Sequence, residues 1–302
     1  MASGFLLANR YRILRMLGVG GMGRVYLAED ERLGVRVAIK VLRETLSRDP
    51  GSVMRLIAEA KLAIQLAHPN VVRVDHFEDG EMLKFLVMEY IEGETLAHRI
   101  AGERKLPEGE VRRIAIEVCK GLEHAHHKRV IHRDIKPGNI LLAKNGEIKI
   151  ADFGIARECR DSVSRLTSQV DSGTLLYMSP EQLIGKSNEV SDVYSLGIVV
   201  YEMVTGQPPF RSGDIPYQIR EIVPDPPAGV SPELGAIVPG AWRRNRSAVT
   251  PPSSPCAGNS TGPRRQSGKR KRRAPRRCAG LKKSGSAPKN NARTKSVASR
   301  LN

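Results

Sequence analysis

The segment from His132 to Asn139 reads HRDIKPGN and is the most informative part of this 302-residue sequence. It combines a carboxylate, cationic side chains and a carboxamide in a polar loop between a predicted helix and a predicted strand. A site for phosphoryl transfer needs a carboxylate to accept a hydroxyl proton, a cation for the phosphate charge and an oxygen ligand for Mg²⁺. Asp134, Lys136 and Asn139 fit these requirements in that order.

A glycine-rich segment near the N-terminus has the composition of a phosphate-binding loop. Glycines allow backbone N–H groups to approach phosphates closely. The segment lies between two predicted strands, whereas a dinucleotide-binding site needs a helix after the glycines, so we interpret it as a loop that covers nucleotide phosphates. The residues that we assign to it are Leu17, Gly18, Val19, Gly20, Gly21, Met22, Gly23, Arg24 and Val25.

Lys40 and Asp152 each end an apolar run that predicts a strand. Lys40 closes the run VAIK, and the amphipathic helix that follows carries Glu59 beside its apolar stripe. A lysine in this position can simply mark where a strand reaches solvent. Alternatively, an ion pair with Glu59 would hold Lys40 against nucleotide phosphates. Asp152 begins the sequence DFG and would supply a second carboxylate ligand for Mg²⁺.

These segments, with the sequence SPE at 179–181, resemble the motifs of the eukaryotic-type protein kinase family in order and spacing. The residues of the segments Leu17–Tyr26 and Met88–Thr95 are most similar to those of the bacterial serine/threonine branch of the family. The resemblance covers about residues 11–238. It implies an α+β fold of two lobes and transfer of the ATP γ-phosphoryl group to Ser or Thr hydroxyls of proteins.

The resemblance also implies how the chain is divided. We expect an N-terminal extension at 1–10, a small β-rich lobe at 11–88, a hinge at 89–92, a large helical lobe at 93–238 and a basic tail at 239–302. The large lobe would be truncated, because the family continues with further helices. The strands predicted for the small lobe are Tyr11–Gly18, Gly23–Asp30, Arg36–Leu42, Val71–Phe77 and Leu83–Tyr90.

The resemblance further assigns roles to single residues, with ATP and Mg²⁺ as the cofactors. Asp134 would be the base, Lys136 would steady the transferred phosphoryl group, Lys40 and Glu59 would position the phosphates, and Asn139 and Asp152 would hold the metal. The adenine would contact residues from both lobes and the hinge: Val25, Ala38, Met88, Glu89, Ile91 and Leu141. Asp192 would brace the HRD segment. Lys136 and Thr174 favour Ser/Thr over tyrosine as the acceptor.

Arg133 is similar to the family arginine that often receives a phosphate from the activation segment. A phosphate there would form charge-assisted hydrogen bonds with it and order the segment. We therefore expect autophosphorylation, with possible self-association of two chains. The candidate acceptors are Ser162, Ser164, Thr167, Ser168 and Ser172, and the alternative is that they are ordinary loop hydroxyls.

The charge of the chain is concentrated at its C-terminal end. Eighteen of the 49 basic residues and none of the 32 acidic residues lie in 239–302, so residues 1–238 are nearly neutral. This tail lacks hydrophobic periodicity, which predicts disorder. Three interpretations stay open: translation after a frameshift near Val238, a solvated linker, or a basic arm for an acidic partner. Nucleic acid is disfavoured as that partner, because Trp242 is the only aromatic side chain available for stacking.

Several further expectations follow. The four cysteines show no CxxC spacing, and no apolar run is long enough for a membrane span, so we expect reduced thiols and a cytoplasmic protein. We interpret His124, His126 and His127 as a solvated helix end rather than metal ligands.

Glu181 has no evident partner in the sequence. If the large lobe is incomplete, the alternative function is a catalytically impaired or non-catalytic nucleotide-binding scaffold.

Overall fold

A computed structural model describes residues 2–20, 23–43, 50–80, 83–153 and 172–235. The strands are β1 (Leu6–Leu7), β2 (Tyr11–Gly20), β3 (Gly23–Asp30), β4 (Val35–Leu42), β5 (Val74–Asp79), β6 (Lys84–Glu89), β7 (Gly93–Thr95), β8 (Ile140–Ala143) and β9 (Ile148–Ile150). The helices are α1 (Pro50–Ile64), α2 (Leu96–Glu103), α3 (Glu108–His127), α4 (Ser172–Leu175), α5 (Pro180–Leu183), α6 (Glu189–Thr205) and α7 (Ile215–Glu221), with a 3-10 turn at Pro137–Asn139.

The first lobe is an antiparallel sheet in the order β1-β2-β3-β4-β6-β5, which confirms the predicted β-rich small lobe. Residues 2–10, predicted as an extension, add the short strand β1 to its edge. Alternating side chains of the strands face opposite sides of the sheet. One side buries Tyr11, Ile39 and Phe85, and the other buries Leu86 against Ala60 of α1. The alternation thus places α1 against one face of the sheet.

The predicted strand at Val71–Phe77 begins later in the structure, at Val74. Val71 instead forms an isolated parallel bridge with Ile150 of β9. The Val72 N–H donates to the Ile150 carbonyl at 2.9 Å, and the Ile150 N–H donates to the Asn70 carbonyl at 2.9 Å. The backbone groups that sequence periodicity assigned to the small sheet are therefore used to join the two lobes.

The second lobe is built around α6, which is buried on nearly all sides, as its continuous apolar sequence predicts. Asn188 caps its N-terminus by accepting a hydrogen bond from the Val190 N–H at 2.8 Å, and Gly206 ends it in the left-handed conformation. Helix α3 packs against α6 with the apolar face predicted from its 3.6-residue period, including Ile114 and Leu122. The described helices include none with the length and apolar character to span a bilayer.

Two short contacts attach the last described segment to the large lobe. The Ser231 N–H donates to Glu108 at 2.7 Å, and Arg112 donates to the Ser231 hydroxyl at 3.0 Å. Leu234 is fully buried in the core of this lobe. The last described residues, 231–235, therefore pack against the N-terminal part of α3. The tail predicted at 239–302 lies outside the described residues.

Candidate active site

Asp192, near the start of α6, organises the segment His132–Asn139. Its carboxylate is completely buried and accepts hydrogen bonds from the backbone N–H groups of His132 at 2.9 Å and Arg133 at 2.7 Å. Arg133 has φ of 70°, a left-handed conformation that is strained for a residue with a side chain. The two hydrogen bonds to a buried anion hold this strained backbone in place. Asp192 thus lies where the resemblance places the brace.

His126 supplies a third contact to the same carboxylate. Its Nε2 lies 2.8 Å from Asp192 Oδ2, and the side chain is buried. The interpretation of the three histidines as a solvated helix end is therefore wrong for His126. The 3.6-residue period could have indicated this, because His126 lies on the same face of α3 as Cys119 and Leu122, which are buried too.

Burial raises the pKa of the Cys119 thiol to about 12, so the thiol stays protonated.

His132 connects the segment to the strand that precedes Asp152. Its Nδ1 accepts a hydrogen bond from the Asp134 N–H at 3.1 Å, so Nε2 carries the proton and donates to the Ala151 carbonyl at 2.8 Å. The ring also makes an edge contact with Phe153, with centroids 4.6 Å apart. Sequence analysis assigned no role to His132. Its position before Arg133 and Asp134 was the available signal.

Asp134, Lys136 and Asn139 lie together, as predicted. The Asn139 amide donates to the Asp134 backbone carbonyl at 2.8 Å and to its carboxylate at 3.1 Å. Lys136 Nζ lies 3.2 Å from the Asp134 carboxylate and donates to the Thr174 hydroxyl at 2.9 Å. Asp134 is buried apart from a small exposed fraction. A carboxylate held in this way can accept a proton from a hydroxyl group placed beside Lys136.

Lys40 and Asp152 form an ion pair across the two lobes, with Nζ and Oδ1 2.7 Å apart. Lys40 is buried and Asp152 is partly exposed. Burial by itself would raise the pKa of Asp152, but the charge of Lys40 and its hydrogen bond outweigh burial and hold the pKa below its ordinary value. Asp152 also has a left-handed backbone, with φ of 65°. The carboxylate is therefore kept ionised at a fixed position.

The residues predicted to contact adenine gather in one apolar cluster between the lobes. Ala38 and Met88 are buried in it, and Val25, Ile91 and Leu141 pack against it from three different parts of the chain. The partly buried members leave apolar surface for a flat ring. Glu89 is turned away from this cluster, because it accepts hydrogen bonds from the Arg73 N–H at 2.8 Å and Lys149 Nζ at 3.1 Å.

The glycine-rich segment forms the end of the β2–β3 hairpin, as predicted for strand–turn–strand geometry. A Cβ atom at Gly18 or Gly20 would meet no atom within 4 Å, whereas one at Gly23 would lie 1.9 Å from the Val41 carbonyl oxygen. Only glycine therefore fits at position 23. Leu17 and Val19 lie in β2, and Arg24 and Val25 in β3. Gly21 and Met22 are outside the described residues.

Several residues named in the sequence analysis are wholly or partly outside the described residues. The backbone of Glu59 lies in α1, but its side chain is outside the described set, so the pair with Lys40 stays a prediction. Gly154 and four of the five candidate phosphoacceptors, all but Ser172, are likewise outside it, as is the side chain of Ser172.

The donor set at Asn139 and Asp152 is compatible with Mg²⁺. The amide nitrogen of Asn139 is committed to Asp134, which orients the amide, and the described residues give the Asn139 Oδ1 no hydrogen bond. Carboxylate and amide oxygens are the ligand types that Mg²⁺ takes in proteins. With these two side chains, the metal would neutralise phosphate charge next to Lys40.

Glu181, for which the sequence offers no evident partner, is buried and accepts a hydrogen bond from the Ser191 hydroxyl. At the start of α5, the Ser179 N–H donates to the side-chain oxygen of Gln182 at 2.9 Å, and the Gln182 amide donates to the Arg133 carbonyl at 2.9 Å. The SPE sequence thus links α6 and the HRD segment. Glu181 thus has a hydrogen-bond donor that its position in the sequence did not indicate.

Comparison with known proteins agrees with this geometry. The family described as protein kinase domain matches residues 11–226. The chain belongs to this family. The kinase domain is similar to serine/threonine-protein kinase PknB of Mycobacterium leprae, with 41% identity over 254 residues, or 79% of this chain and 40% of that protein.

Two further relatives give the same result. PknB of Mycolicibacterium smegmatis is 42% identical over 255 residues, covering 79% of this chain and 40% of the relative. A probable serine/threonine-protein kinase of Streptomyces coelicolor is 40% identical over 246 residues, covering 77% of this chain and 36% of the relative. The chain therefore spans about two fifths of the length of these relatives.

Replacing Asp192 with alanine should destabilise the kinase domain. The change leaves two buried backbone N–H groups and the His126 ring without their acceptor. Each unsatisfied buried group costs about 1–3 kcal/mol, so for three groups we expect the free energy of unfolding to fall by roughly 3 kcal/mol or more. Urea unfolding of the two proteins measures this. The exposed Asp225→Ala serves as control, and equal losses in both variants would show that Asp192 does not brace the segment.

The lowered pKa of Asp152 predicts a particular dependence of stability on pH. Its ionised form stabilises the folded state fully above the unfolded pKa of about 3.9, and this contribution is lost as the pH falls through the lower folded pKa. The stability difference between wild type and Asp152→Asn should therefore be constant from neutral pH to about pH 5 and shrink only below about pH 4. Urea unfolding at a series of pH values measures it. A difference that already declines between pH 7 and pH 5 would contradict the assignment.

Proposed function

We propose that this chain is a serine/threonine protein kinase that transfers the γ-phosphoryl group of ATP to hydroxyl groups of proteins. The observation that carries the proposal is the placement of the Lys136 and Asn139 side chains within hydrogen-bonding distance of the Asp134 carboxylate. The relatives at about 40% identity that are named serine/threonine-protein kinases support the same activity.

The proposed mechanism assigns one task to each side chain. Asp134 accepts the proton of the acceptor hydroxyl as its oxygen attacks the γ-phosphorus of ATP, and the bond from that phosphorus to the bridging oxygen breaks, so that ADP leaves. Lys136 stabilises the charge on the transferred group. Lys40 would bind the phosphates of ATP. Asn139 and Asp152 would hold Mg²⁺, which would neutralise phosphate charge. Catalysis of this kind is mostly positioning and charge stabilisation. The hydrogen bonds around Asp134 support it, because they hold the carboxylate before substrate arrives.

The choice of serine or threonine as acceptor rests on Lys136 and Thr174. The Lys136 ammonium contacts both Asp134 and the Thr174 hydroxyl, so the lysine spans the space where the acceptor oxygen would lie. Asp134 is almost completely buried, so the acceptor hydroxyl would approach its carboxylate beside Lys136 and Thr174.

Asp134→Asn should abolish phosphoryl transfer while ATP binding persists. The amide keeps the shape of the side chain but cannot accept the hydroxyl proton, and loss of such a group lowers rates by about 10²–10⁴-fold. Transfer to a generic protein substrate with Mg-ATP and binding of a fluorescent ATP analogue are measured in parallel, with Asp225→Asn as control.

Two results of this experiment would change the proposal. Retained transfer by Asp134→Asn would refute the role of Asp134. A wild-type chain that binds ATP without any transfer would favour the non-catalytic nucleotide-binding scaffold.

We further propose that the activation segment is phosphorylated by a second copy of the chain. Arg133 supports this, because its buried Nε has no hydrogen-bond partner within the part of the chain that the structure describes. Replacing Ser162, Ser164, Thr167, Ser168 and Ser172 by alanine should remove self-incorporated phosphate and lower activity. Labelled ATP measures incorporation, and Asp134→Asn chains mixed with wild type serve as acceptors in trans. Unchanged activity of the alanine variant would contradict the proposal.

A further inference from the structure

A cavity of about 850 Å³ lies beside Lys136 and is lined by residues of the large lobe. Its walls come from three parts of the large lobe. The end of α2 contributes Arg104 and Lys105, and the 3-10 turn region contributes Lys136 to Gly138. The end of α6 contributes Glu202 and the residues from Thr205 to Gln207. The cavity also reaches Thr174, which Lys136 contacts. A ligand in this space would therefore adjoin the place where the acceptor hydroxyl meets Asp134.

The walls of the cavity carry more positive than negative charge. Arg104 and Lys105 are exposed, and no ion pair of either is found among the described residues. Lys136 already contacts Asp134 at 3.2 Å. The one carboxylate, Glu202, accepts a hydrogen bond from the Tyr177 hydroxyl at 2.6 Å. Burial disfavours the ionised form of Glu202 and raises its pKa. This side chain therefore offsets the positive charge of the wall less than an exposed carboxylate would.

Arg104 has a backbone conformation that residues with a side chain rarely adopt. It follows the C-terminus of α2 with φ of 63° and ψ of −50°, a region in which glycine is favoured. Its N–H donates to the Ile100 carbonyl at 2.8 Å, and the Leu106 N–H donates to the Met203 carbonyl at 2.9 Å. A Cβ atom on Gly206 would lie 2.5 Å from the Arg104 carbonyl oxygen, so α6 packs closely against this turn. Strained residues that the surrounding structure holds in place are concentrated at functional sites.

We propose that Arg104 and Lys105 make this cavity a subsite for an anionic side chain of the protein substrate, close in sequence to the acceptor hydroxyl. The anion is a carboxylate or a phosphorylated hydroxyl, since a guanidinium binds either one through two hydrogen bonds. The inference rests on the proposed phosphoryl transfer and adds a substrate preference to it. Glu202 is less suited to binding a basic side chain of the substrate, because it already accepts a hydrogen bond from Tyr177 and lines the same cavity as Arg104 and Lys105.

The backbone of Arg104 provides a well-matched variant. Arg104→Gly removes the cation and at the same time suits the left-handed backbone, so the folded state should not lose stability. Arg129 is the control, because it is also an exposed arginine with a positive φ, of 60°, after a helix, but it does not line the cavity. Arg129→Gly therefore reproduces the chemical change and the backbone change at another place.

The experiment uses the full chain and peptides with one threonine in neutral flanks. Single aspartate, phosphoserine or lysine residues replace alanine at each flanking position, and kcat/KM is measured for each peptide. For wild type we expect aspartate or phosphoserine at one position to raise kcat/KM on the order of tenfold over alanine, the effect of one charge-assisted hydrogen bond. In the Arg104→Gly, Lys105→Ala double variant this ratio should fall to about one, and in Arg129→Gly it should persist. The aspartate and phosphoserine arms separate a carboxylate from a phosphate.

Every other outcome opposes the inference. A preference for lysine that Glu202→Gln removes would assign the cavity to a basic side chain. Transfer without any preference at the flanking positions would leave the cavity without this role. If no peptide is phosphorylated, the proposed function fails, but the subsite can still be tested by measuring peptide binding through the fluorescence anisotropy of labelled peptides. The subsite would be refuted if the aspartate peptide bound no tighter than the alanine peptide. It would also be refuted if wild type and the double variant bound the aspartate peptide equally well.

Discussion

The carboxylate of Asp192 connects α6, the most buried of the described helices, to the backbone of the HRD segment. It accepts hydrogen bonds from two consecutive N–H groups and from the His126 ring, all of them shielded from solvent. Such a carboxylate has no alternative partners in water, so its contacts determine the local chain path. The left-handed backbone of Arg133 follows from this constraint. Asp134 and Lys136 leave the strained turn in the directions that bring them together.

From this point two links extend to the nucleotide side of the cleft. The His132 ring joins the HRD segment to the Ala151 carbonyl, and Asp152 then forms the ion pair with Lys40 of the small lobe. The path therefore runs from the core of one lobe to a strand of the other through hydrogen bonds and one ion pair. The backbone bridge between Val71 and Ile150 follows the same route. Relative motion of the lobes would have to break or lengthen contacts along this path.

The two sides of the HRD segment differ in chemistry. On the nucleotide side, an apolar cluster containing Ala38, Met88 and Leu141 is suited to a flat heterocycle. On the other side, the cavity beneath Lys136 is lined by exposed cations and by one carboxylate that is hydrogen-bonded to Tyr177. Lys136 lies at the boundary between them and contacts Asp134 and Thr174. This division is what a transfer between a nucleotide and a protein segment requires.

The sequence by itself determined the family, the two lobes and the grouping of Asp134, Lys136 and Asn139. These features depend on spacing along the chain and on hydrophobic periodicity, which are local properties. Only the tertiary structure decided that His126 is buried on Asp192, that Glu181 is bonded by Ser191 and that Val71 joins the lobes rather than extending β5. Each of these contacts joins residues from different elements, and a pattern within one element does not specify its partner. The charge of the cavity beneath Lys136 arises in the same way, because Arg104 and Glu202 become neighbours only when α2 packs against the end of α6.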